Sequence, residues 1–208
     1  MANKTASSVH DTKGGVMAVI LAAGESSRMG STKPLLAWDG KTLLRHCAER
    51  ALASICDEVH VIVGPDATAL ERELEGLSLT TTRVEYAKDG MGATLAGTIQ
   101  TLPDRTRGVV VLLCDQPFVT TDLIDDLVQR GKESEMVACT YDDTLGPPAY
   151  FSQNRFAELC GLTGDRGAKS ILLQNAEAVV TVAFPLGTFD IDTPEDYDRA
   201  LAELERRG

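Results

Sequence analysis

The chain has 208 residues, of which 43% are hydrophobic and 25% charged; this predicts a folded domain with its own core and excludes a disordered chain. Its longest uninterrupted apolar run, residues 16–23, is much shorter than the roughly 20 residues of a membrane-spanning helix, so a transmembrane protein is excluded. The net charge of −11, without a cluster of lysine and arginine, disfavours a nucleic acid partner.

From residue 16 onward, short β-branched runs alternate with longer amphipathic segments. The runs predict strands at residues 16–21, 58–63, 83–86, 109–114, 136–141 and 179–184. The other segments predict helices at residues 42–55, 67–75, 93–102, 121–131, 152–159, 168–175 and 194–206. This alternation predicts a three-layer α/β/α fold with a mostly parallel mixed sheet, in which ligands bind beyond the carboxyl ends of the strands.

The cysteines and histidines do not follow the pattern of a disulfide or zinc site. The five cysteines are an odd number without CxxC spacing, and the three histidines are scattered without an HExxH motif. This usage is typical of reduced thiols and predicts a cytoplasmic protein. Residues 1–15 are polar and lack the apolar segment of a signal peptide, which predicts a disordered tail before a single domain at residues 16–208.

The first predicted strand ends in small residues, Ala22, Ala23 and Gly24, and the following loop carries Arg28 and Lys33. Small residues let the backbone approach a base or a phosphate, and an arginine fork with a lysine point charge suits a triphosphate. The loop matches neither GxxxxGK[ST] nor GxGxxG, which disfavours a P-loop NTPase and a plain NAD dehydrogenase. The alternative is a simple connection with incidental surface charges.

The strand predicted at residues 109–114 is apolar throughout and is followed directly by Asp115. A carboxylate at the end of a buried strand is costly unless it is paired or binds a metal. Since Mg2+ prefers one or two carboxylates together with phosphate oxygens, Asp115 is predicted to bind Mg2+, with Mn2+ as the alternative cation. The competing interpretation is a turn or a helix cap.

A second pair of acids, Asp190 and Asp192, precedes the last predicted helix. On an extended strand the two would share a face, so one of them could join Asp115 at a metal. Thr193 is predicted to cap the helix and Pro194 to be its first residue. The alternative for Asp192 is a role next to the cap.

Three other segments are candidates for substrate contacts. Residues 87–97 are glycine-rich and predict a turn before a helix or a nucleotide contact. Two prolines predict a rigid loop at residues 146–151. Residues 164–169 predict a turn or a helix start, and Arg166 and Lys169 could meet a substrate phosphate.

The segment LAAGESSRMGSTKPLL resembles the signature loop of nucleotidyltransferases, and it is most similar to that of the MobA-like NTP transferases. The triplet D-Q-P at residues 115–117 and the motif D-T-P-E-D at residues 192–196 resemble further motifs of this family. Within the family, an Ala-Ala-Gly loop is similar to that of molybdenum cofactor cytidylyltransferases, whereas the guanylyltransferases usually have Ala-Gly-Gly. The resemblance covers nearly the whole chain, from residue 16 to residue 204, and implies a Rossmann-like nucleotidyltransferase fold.

The resemblance also implies roles for individual residues. The residues implied in nucleotide binding are Leu21, Ala22, Ala23, Gly24, Arg28, Lys33, Asp89, Gly92, Thr94 and Asp115. Those implied in binding the acceptor substrate are Gly146, Pro148, Phe151 and Arg166. The implied metal ligands are Asp115 and Asp192, and the implied catalytic residues are Arg28, Lys33 and Asp115.

The predicted reaction is Mg2+-dependent transfer of CMP from the NTP substrate, CTP, to the phosphate of molybdopterin, a phosphorylated pterin, with release of pyrophosphate. A molybdenum hydroxylase of the xanthine-oxidase type is implied as the recipient of the product. One alternative is a GTP-dependent guanylyltransferase acting on molybdopterin or on a phospholactate. Another is a non-catalytic module that binds nucleotide or molybdenum cofactor for delivery, although a pure binding protein does not need both acids.

Overall fold

The computed structural model describes residues 15–23, 32–64, 67–84 and 90–207. The strands in these residues are β1 (Val16–Ala22), β2 (Ala37–Trp38), β3 (Lys41–Thr42), β4 (Glu58–Val63), β5 (Thr80–Arg83), β6 (Gly108–Leu113), β7 (Met136–Tyr141), β8 (Thr144–Ser152) and β9 (Val180–Ala183). The helices are α1 (Leu43–Leu52), α2 (Thr68–Glu73), α3 (Met91–Gln100), α4 (Thr121–Gly131), α5 (Phe156–Cys160), α6 (Ala168–Gln174) and α7 (Pro194–Arg207). None of the helices found in this part of the chain is long and apolar enough to cross a membrane.

Seven strands form one sheet in the order β5-β4-β1-β6-β8-β7-β9, while β2 and β3 form a separate hairpin that the sequence did not predict. Strands β5, β4, β1 and β6 are parallel, and β9 is parallel to β7. Only β8 is antiparallel to its neighbours in the sheet, β6 and β7. This mostly parallel mixed sheet confirms the predicted fold class.

Alternate residues of the central strand β1 face opposite sides of the sheet. Ala18 and Ile20 belong to an apolar cluster that includes residues of α1, α2 and α4. Val19 and Leu21 belong to a second cluster, which includes residues of α3, α5 and α6. Because helices cover both faces, the strand is apolar at every position and the fold has three layers.

Residues 146–151 belong to strand β8, so the prediction of a rigid loop there is wrong. Ala138 of β7 pairs with Ala149, but the next residue, Cys139, pairs with Gly146. The intervening prolines, Pro147–Pro148, therefore have no partner on β7, and we call this pair of residues the proline bulge. Proline cannot donate a hydrogen bond to a strand ladder, so the strand accommodates both residues by bulging.

Two other predicted elements have shifted boundaries. The third strand of the prediction, at residues 83–86, is Thr80–Arg83, because three consecutive β-branched threonines extend the strand pattern towards the N-terminus. The helix predicted at residues 152–159 is Phe156–Cys160, preceded by a 3-10 turn at Gln153–Arg155. Neither shift changes the order of the elements or the position of the site.

The start of α7 confirms the predicted cap. The Asp196 amide donates to Thr193 Oγ1 at 3.2 Å, and the Thr193 amide donates to Asp196 Oδ2 at 2.9 Å. This reciprocal pair of bonds is a capping box, and it fixes the direction in which the chain enters the helix. Just before it, the Ile191 amide donates to the Asp115 carbonyl at 3.0 Å, which ties the segment before α7 to the end of β6.

Candidate active site

The carboxyl ends of β1 and β6 meet at one edge of the sheet. The strands are adjacent and parallel, with Leu21 paired with Leu113, so Ala22 and Ala23 follow on one strand where Asp115 follows on the other. Leu21, Ala22 and Ala23 are all buried. The structure therefore brings these predicted nucleotide-binding residues to the same edge as Asp115. Three further predicted site residues lie outside the described part of the chain, namely Gly24, Arg28 and Asp89.

Two buried carboxyl groups, those of Asp115 and Asp190, lie close together at this edge. Burial raises the pKa of Asp115, and the nearby Lys33 ammonium only partly offsets this effect. Burial, followed by the negative charges of Asp115 and Asp192, raises the pKa of Asp190 to about 8. The two acids are therefore a coupled pair in which one negative charge opposes the other.

Lys33 connects the two acidic segments. Its Nζ donates a hydrogen bond to Asp192 Oδ1 and lies 3.9 Å from Asp115 Oδ2. Burial acts to lower the pKa of Lys33, but the hydrogen bond to Asp192 and the charge of Asp115 outweigh it, and the pKa is raised. The lysine is therefore charged at neutral pH. A 3-10 turn, Lys33–Leu35, with buried Pro34 fixes its backbone.

The site fits a divalent cation. Asp115 Oδ1 and Asp190 Oδ1 are buried, and while Asp190 keeps its proton the two carboxyl groups hydrogen-bond to each other rather than to other described residues. A cation would take the place of this shared proton and neutralise both carboxylates. The described residues contain no preformed group of three or more His, Cys, Asp or Glu side chains arranged for a metal. Mg2+ commonly completes its coordination with substrate phosphate oxygens and water.

The sequence offers both Asp190 and Asp192 as partners of Asp115 at a metal, and the family resemblance implies Asp192, with Asp190 as the weaker candidate. In the structure, the Asp192 side chain is half exposed and bonded to Lys33, whereas Asp190 is the acid that shares the burial of Asp115. Asp190 and Asp192 flank Ile191, which is completely buried. The signal that could have ranked Asp190 higher is this apolar residue, because its packing fixes the chain on both sides of it.

The coupled acids make the stability of the metal-free protein depend on pH. The pKa of Asp190 is raised from 3.8 to about 8 in the folded protein, so its stabilising contribution is complete below about pH 4 and is lost as pH rises through about 8. We expect the Tm in EDTA to fall between pH 5 and pH 8.5, and Asp190→Asn to flatten this slope. Asp126→Asn, which changes an exposed acid paired with Arg130, should keep the wild-type slope. An unchanged slope in Asp190→Asn would contradict the assignment.

Gln116 and Tyr141 form a second wall of the site that the sequence analysis did not identify. Gln116 Nε2 donates to the Pro147 carbonyl at 3.1 Å and to Tyr141 Oη at 3.4 Å, and the Tyr141 hydroxyl donates to the same carbonyl at 3.1 Å. Burial raises the pKa of Tyr141, and the charge of Asp190 adds to this, so the hydroxyl keeps its proton. Gly146 lies against this hydroxyl, where a Cβ would overlap it. The predicted acceptor residue Gly146 therefore lies against Tyr141, and the carbonyl that precedes Pro148 is bonded to Gln116, the residue after Asp115.

The predicted contacts at Gly92, Thr94 and Arg166 lie where α3 begins. The Gly92 amide donates to the Gly164 carbonyl at 2.8 Å, and a Cβ at Gly92 would overlap the Arg166 carbonyl. The Thr94 hydroxyl is buried and donates to the Gly90 carbonyl at 3.1 Å. In this structure Gly92 allows two loops to pack and Thr94 bonds within its own helix, while the Arg166 side chain is exposed.

The structure does not bring Phe151 to the site, which corrects its assignment as a substrate residue. Phe151 pairs with Val109 at the start of β6 and with Met136 of β7, and it is fully buried. Asp115 follows Val109 by six residues, a distance of about 20 Å along a strand. The Phe151 side chain is part of the core near the opposite edge of the sheet.

A lysine and several carboxylates at the carboxyl ends of adjacent parallel strands suit a nucleotidyltransferase, because such an enzyme must neutralise a triphosphate and hold its metal. The comparison with known families agrees with this class. The chain belongs to the MobA-like NTP transferase family, since the model of the MobA-like NTP transferase domain matches residues 18–179.

Two relatives, one of them with two solved structures, show how far the likeness extends. The purine catabolism protein PucB of Bacillus subtilis is 31% identical over 198 residues, which cover 88% of this chain and 94% of PucB. The crystal structure of Rv0371c from Mycobacterium tuberculosis is 30% identical with a TM-score of 0.79, covering 89% of this chain and 96% of that one. The manganese complex of Rv0371c has 28% identity and a TM-score of 0.75, covering 89% and 97%.

The bifunctional protein GlmU of Marinobacter nauticus is 31% identical over 126 residues, or 60% of this chain. This chain spans only 27% of the length of GlmU.

Proposed function

We propose that this protein transfers CMP from CTP to the phosphate of molybdopterin, with release of pyrophosphate, in a reaction that depends on Mg2+. The observation that carries the proposal is the coupled pair Asp115 and Asp190 beside the partly buried ammonium of Lys33. This arrangement supplies both charges that the reaction needs: carboxylates for a metal and a cation for phosphates. Membership of the MobA-like NTP transferase family supports the same chemistry.

The proposed metal ligands are Asp115 and Asp192, to which the structure adds Asp190 as the neighbour of Asp115. When bound, the divalent cation supplies positive charge at the α-phosphate and the incoming phosphate. Mg2+ is the proposed cation and Mn2+ the alternative. The manganese complex of Rv0371c supports the proposal that a divalent cation binds to this fold.

Lys33 and Arg28 are proposed to neutralise the β- and γ-phosphates and the departing pyrophosphate. To reach a phosphate, the Lys33 ammonium exchanges its contact with Asp192 for one with the nucleotide. Leu21, Ala22, Ala23 and Gly24 are proposed to lie along the base. A phosphate monoester is already a nucleophile near pH 7, so these residues position the reactants and no general base is required.

Asp89, Gly92 and Thr94 remain proposed nucleotide residues, and Gly146, Pro148 and Arg166 are proposed to hold the acceptor. The proposed recipient of the cytidylylated cofactor is a molybdenum hydroxylase of the xanthine-oxidase type. The relative PucB is a purine catabolism protein, which supports this recipient because xanthine is a purine.

A thermal-shift series with CTP, GTP, ATP and UTP, each with and without Mg2+, tests the choice of nucleotide. A ligand at 100 times its Kd stabilises the folded state by about 2.7 kcal/mol, which corresponds to roughly 5–10 °C for a domain of this size. We expect CTP with Mg2+ to give the largest rise in Tm. A larger shift with GTP would replace CMP transfer by GMP transfer, and no shift with any nucleotide would contradict the proposal.

Lys33→Met and Lys41→Met provide a matched pair for this experiment. Lys33→Met removes the proposed phosphate ligand and should abolish most of the CTP-dependent shift. Lys41 forms an ion pair with Glu49 on the surface of α1, so Lys41→Met should keep the full shift. Equal shifts in the two variants would remove Lys33 from the phosphate site.

A further inference from the structure

The proline bulge, Pro147–Pro148, lies beside the end of β6, where its Pro147 carbonyl accepts a hydrogen bond from Gln116, the residue after Asp115. β8 pairs with β6 as far as Ala149, which faces Val111, and the pairing does not continue to the bulge. Since the bulge has no ladder partner on β7 either, side chains must hold it in place. Bulges at such positions commonly redirect groups into active sites.

Gln116 and Tyr141 provide this support. Gln116 Nε2 donates to the Pro147 carbonyl and to Tyr141 Oη, and the Tyr141 hydroxyl donates to the same carbonyl. The Tyr141 ring is held closely, because a Cβ at Gly187 would overlap it and Phe184 packs edge-on with ring centroids 6.3 Å apart. A tyrosine held in this way fixes the orientation of the Gln116 carboxamide.

The other polar atom of this carboxamide, Gln116 Oε1, is buried and accepts no hydrogen bond from the described residues. The residue is only 4% exposed. Its orientation is not interchangeable, since the opposite one would place Oε1 against the Pro147 carbonyl, and two acceptors repel each other. A ligand N–H that donates to Oε1 would remove the penalty of an unpaired buried acceptor.

The position of Gln116 indicates which substrate it can contact. In the sheet, β6 lies between β1 and β8, and the proposed nucleotide residues follow β1, whereas Gln116 and its partners lie on the β8 side. An amide oxygen near Asp115 and Asp190 repels a phosphate, so the group that it accepts from is an N–H donor on another part of the substrate. A pterin ring carries such donors, in its lactam N–H and its amino group.

We propose that Gln116 is a specificity-determining residue that accepts a hydrogen bond from an N–H of the acceptor ring, and that Tyr141 is a positioning residue acting through Gln116. This assignment rests on the proposed function, because it concerns the acceptor side of the same site. Gln116 Oε1 is buried in this structure, so the contact requires a local shift that exposes this atom. The proline bulge is the part of β8 that no strand ladder holds.

The test compares Gln116→Met, Tyr141→Phe and their double variant by calorimetric titration with a pterin monophosphate and with phospholactate, which has no N–H group. We expect each single variant to weaken pterin binding about tenfold, which corresponds to one hydrogen bond that leaves its partner unpaired. Phospholactate affinity should stay at the wild-type value. The double variant should lose no more than Gln116→Met alone, because Tyr141 acts through that residue.

Tyr150→Phe is the matched control. Tyr150 also belongs to β8 but lies between Gly108 and Gly131, at the edge opposite Asp115, so its variant should bind the pterin as the wild type does. Equal affinities of wild type and Gln116→Met for the pterin would overturn the assignment. It would also be overturned if the affinity losses of the two single variants multiplied in the double variant, or if the wild type did not bind the pterin. Absence of nucleotide binding or turnover would instead overturn the proposed function, because these titrations contain no nucleotide.

Discussion

Asp115→Asn is expected to lower kcat by at least about 100-fold at saturating Mg2+, CTP and acceptor, which is the scale seen when a charge-stabilising group is lost. Asparagine keeps the shape of the side chain but cannot contribute a negative charge to a cation. The charge removed is that of the whole carboxylate, which Oδ1 and Oδ2 share and of which Oδ1 is buried. The measurement is the initial rate of pyrophosphate release over a range of Mg2+ concentrations.

The same variant should fold at least as well as the wild type. Burial raises the pKa of Asp115, and the charge of Asp192 adds to this, so a neutral side chain removes an unfavourable charge from the metal-free protein. The variant loses the 3.9 Å contact with Lys33, but the lysine keeps its hydrogen bond to Asp192. A Tm at or above the wild-type value together with the loss of kcat would separate a catalytic role from a structural one.

Asp126→Asn serves as the control for this substitution. Asp126 is an exposed acid of α4 that pairs with Arg130, so its variant should keep the wild-type kcat and its dependence on Mg2+. Near wild-type turnover by Asp115→Asn at saturating Mg2+ would reject the metal role of Asp115. A lower Tm with unchanged kcat would reassign the residue to the support of the sheet edge.

The sequence predicted the edge of the sheet at which the site lies, because buried strands leave a clear signal. An acid directly after six apolar residues, as at Asp115, is rare unless the acid is used, whereas Lys33 was singled out by the resemblance of its loop to the nucleotidyltransferase signature. The order of strands and helices followed from the same alternation. These features depend on residues near one another in the chain, so one sequence is enough to detect them.

The sequence could not rank the two acids before α7, since Asp190 and Asp192 have the same chemistry and similar surroundings in the chain. Their difference arises when Ile191 packs into the core and its amide bonds to the Asp115 carbonyl. Only the tertiary structure then shows that Asp190 faces Asp115 while Asp192 meets Lys33.

The wall formed by Gln116 and Tyr141 also could not be predicted from the sequence. The two residues are 25 positions apart, and their contact depends on the antiparallel pairing of β7 with β8. Prolines at residues 147 and 148 argued for a loop, because proline weakens any strand ladder. Strand pairing on either side of the bulge nevertheless forms β8 around the two prolines. This pairing brings Gln116 and Tyr141 into contact.

Phe151→Ala is expected to destabilise the fold by about 3–5 kcal/mol, the usual loss for removing a fully buried phenylalanine, while the KM for the acceptor stays at the wild-type value. Phe151 belongs to the apolar cluster beneath α3, α5 and α6, and alanine would leave a cavity there. In a domain of this size the loss corresponds to a fall in Tm of roughly 10 °C. Phe156→Ala is the control, because Phe156 packs against the same cluster but is only partly buried, and its loss should be clearly smaller. Thermal unfolding of both variants measures the difference. A rise in the acceptor KM without a fall in Tm would return Phe151 to the substrate site and would contradict its place in the core.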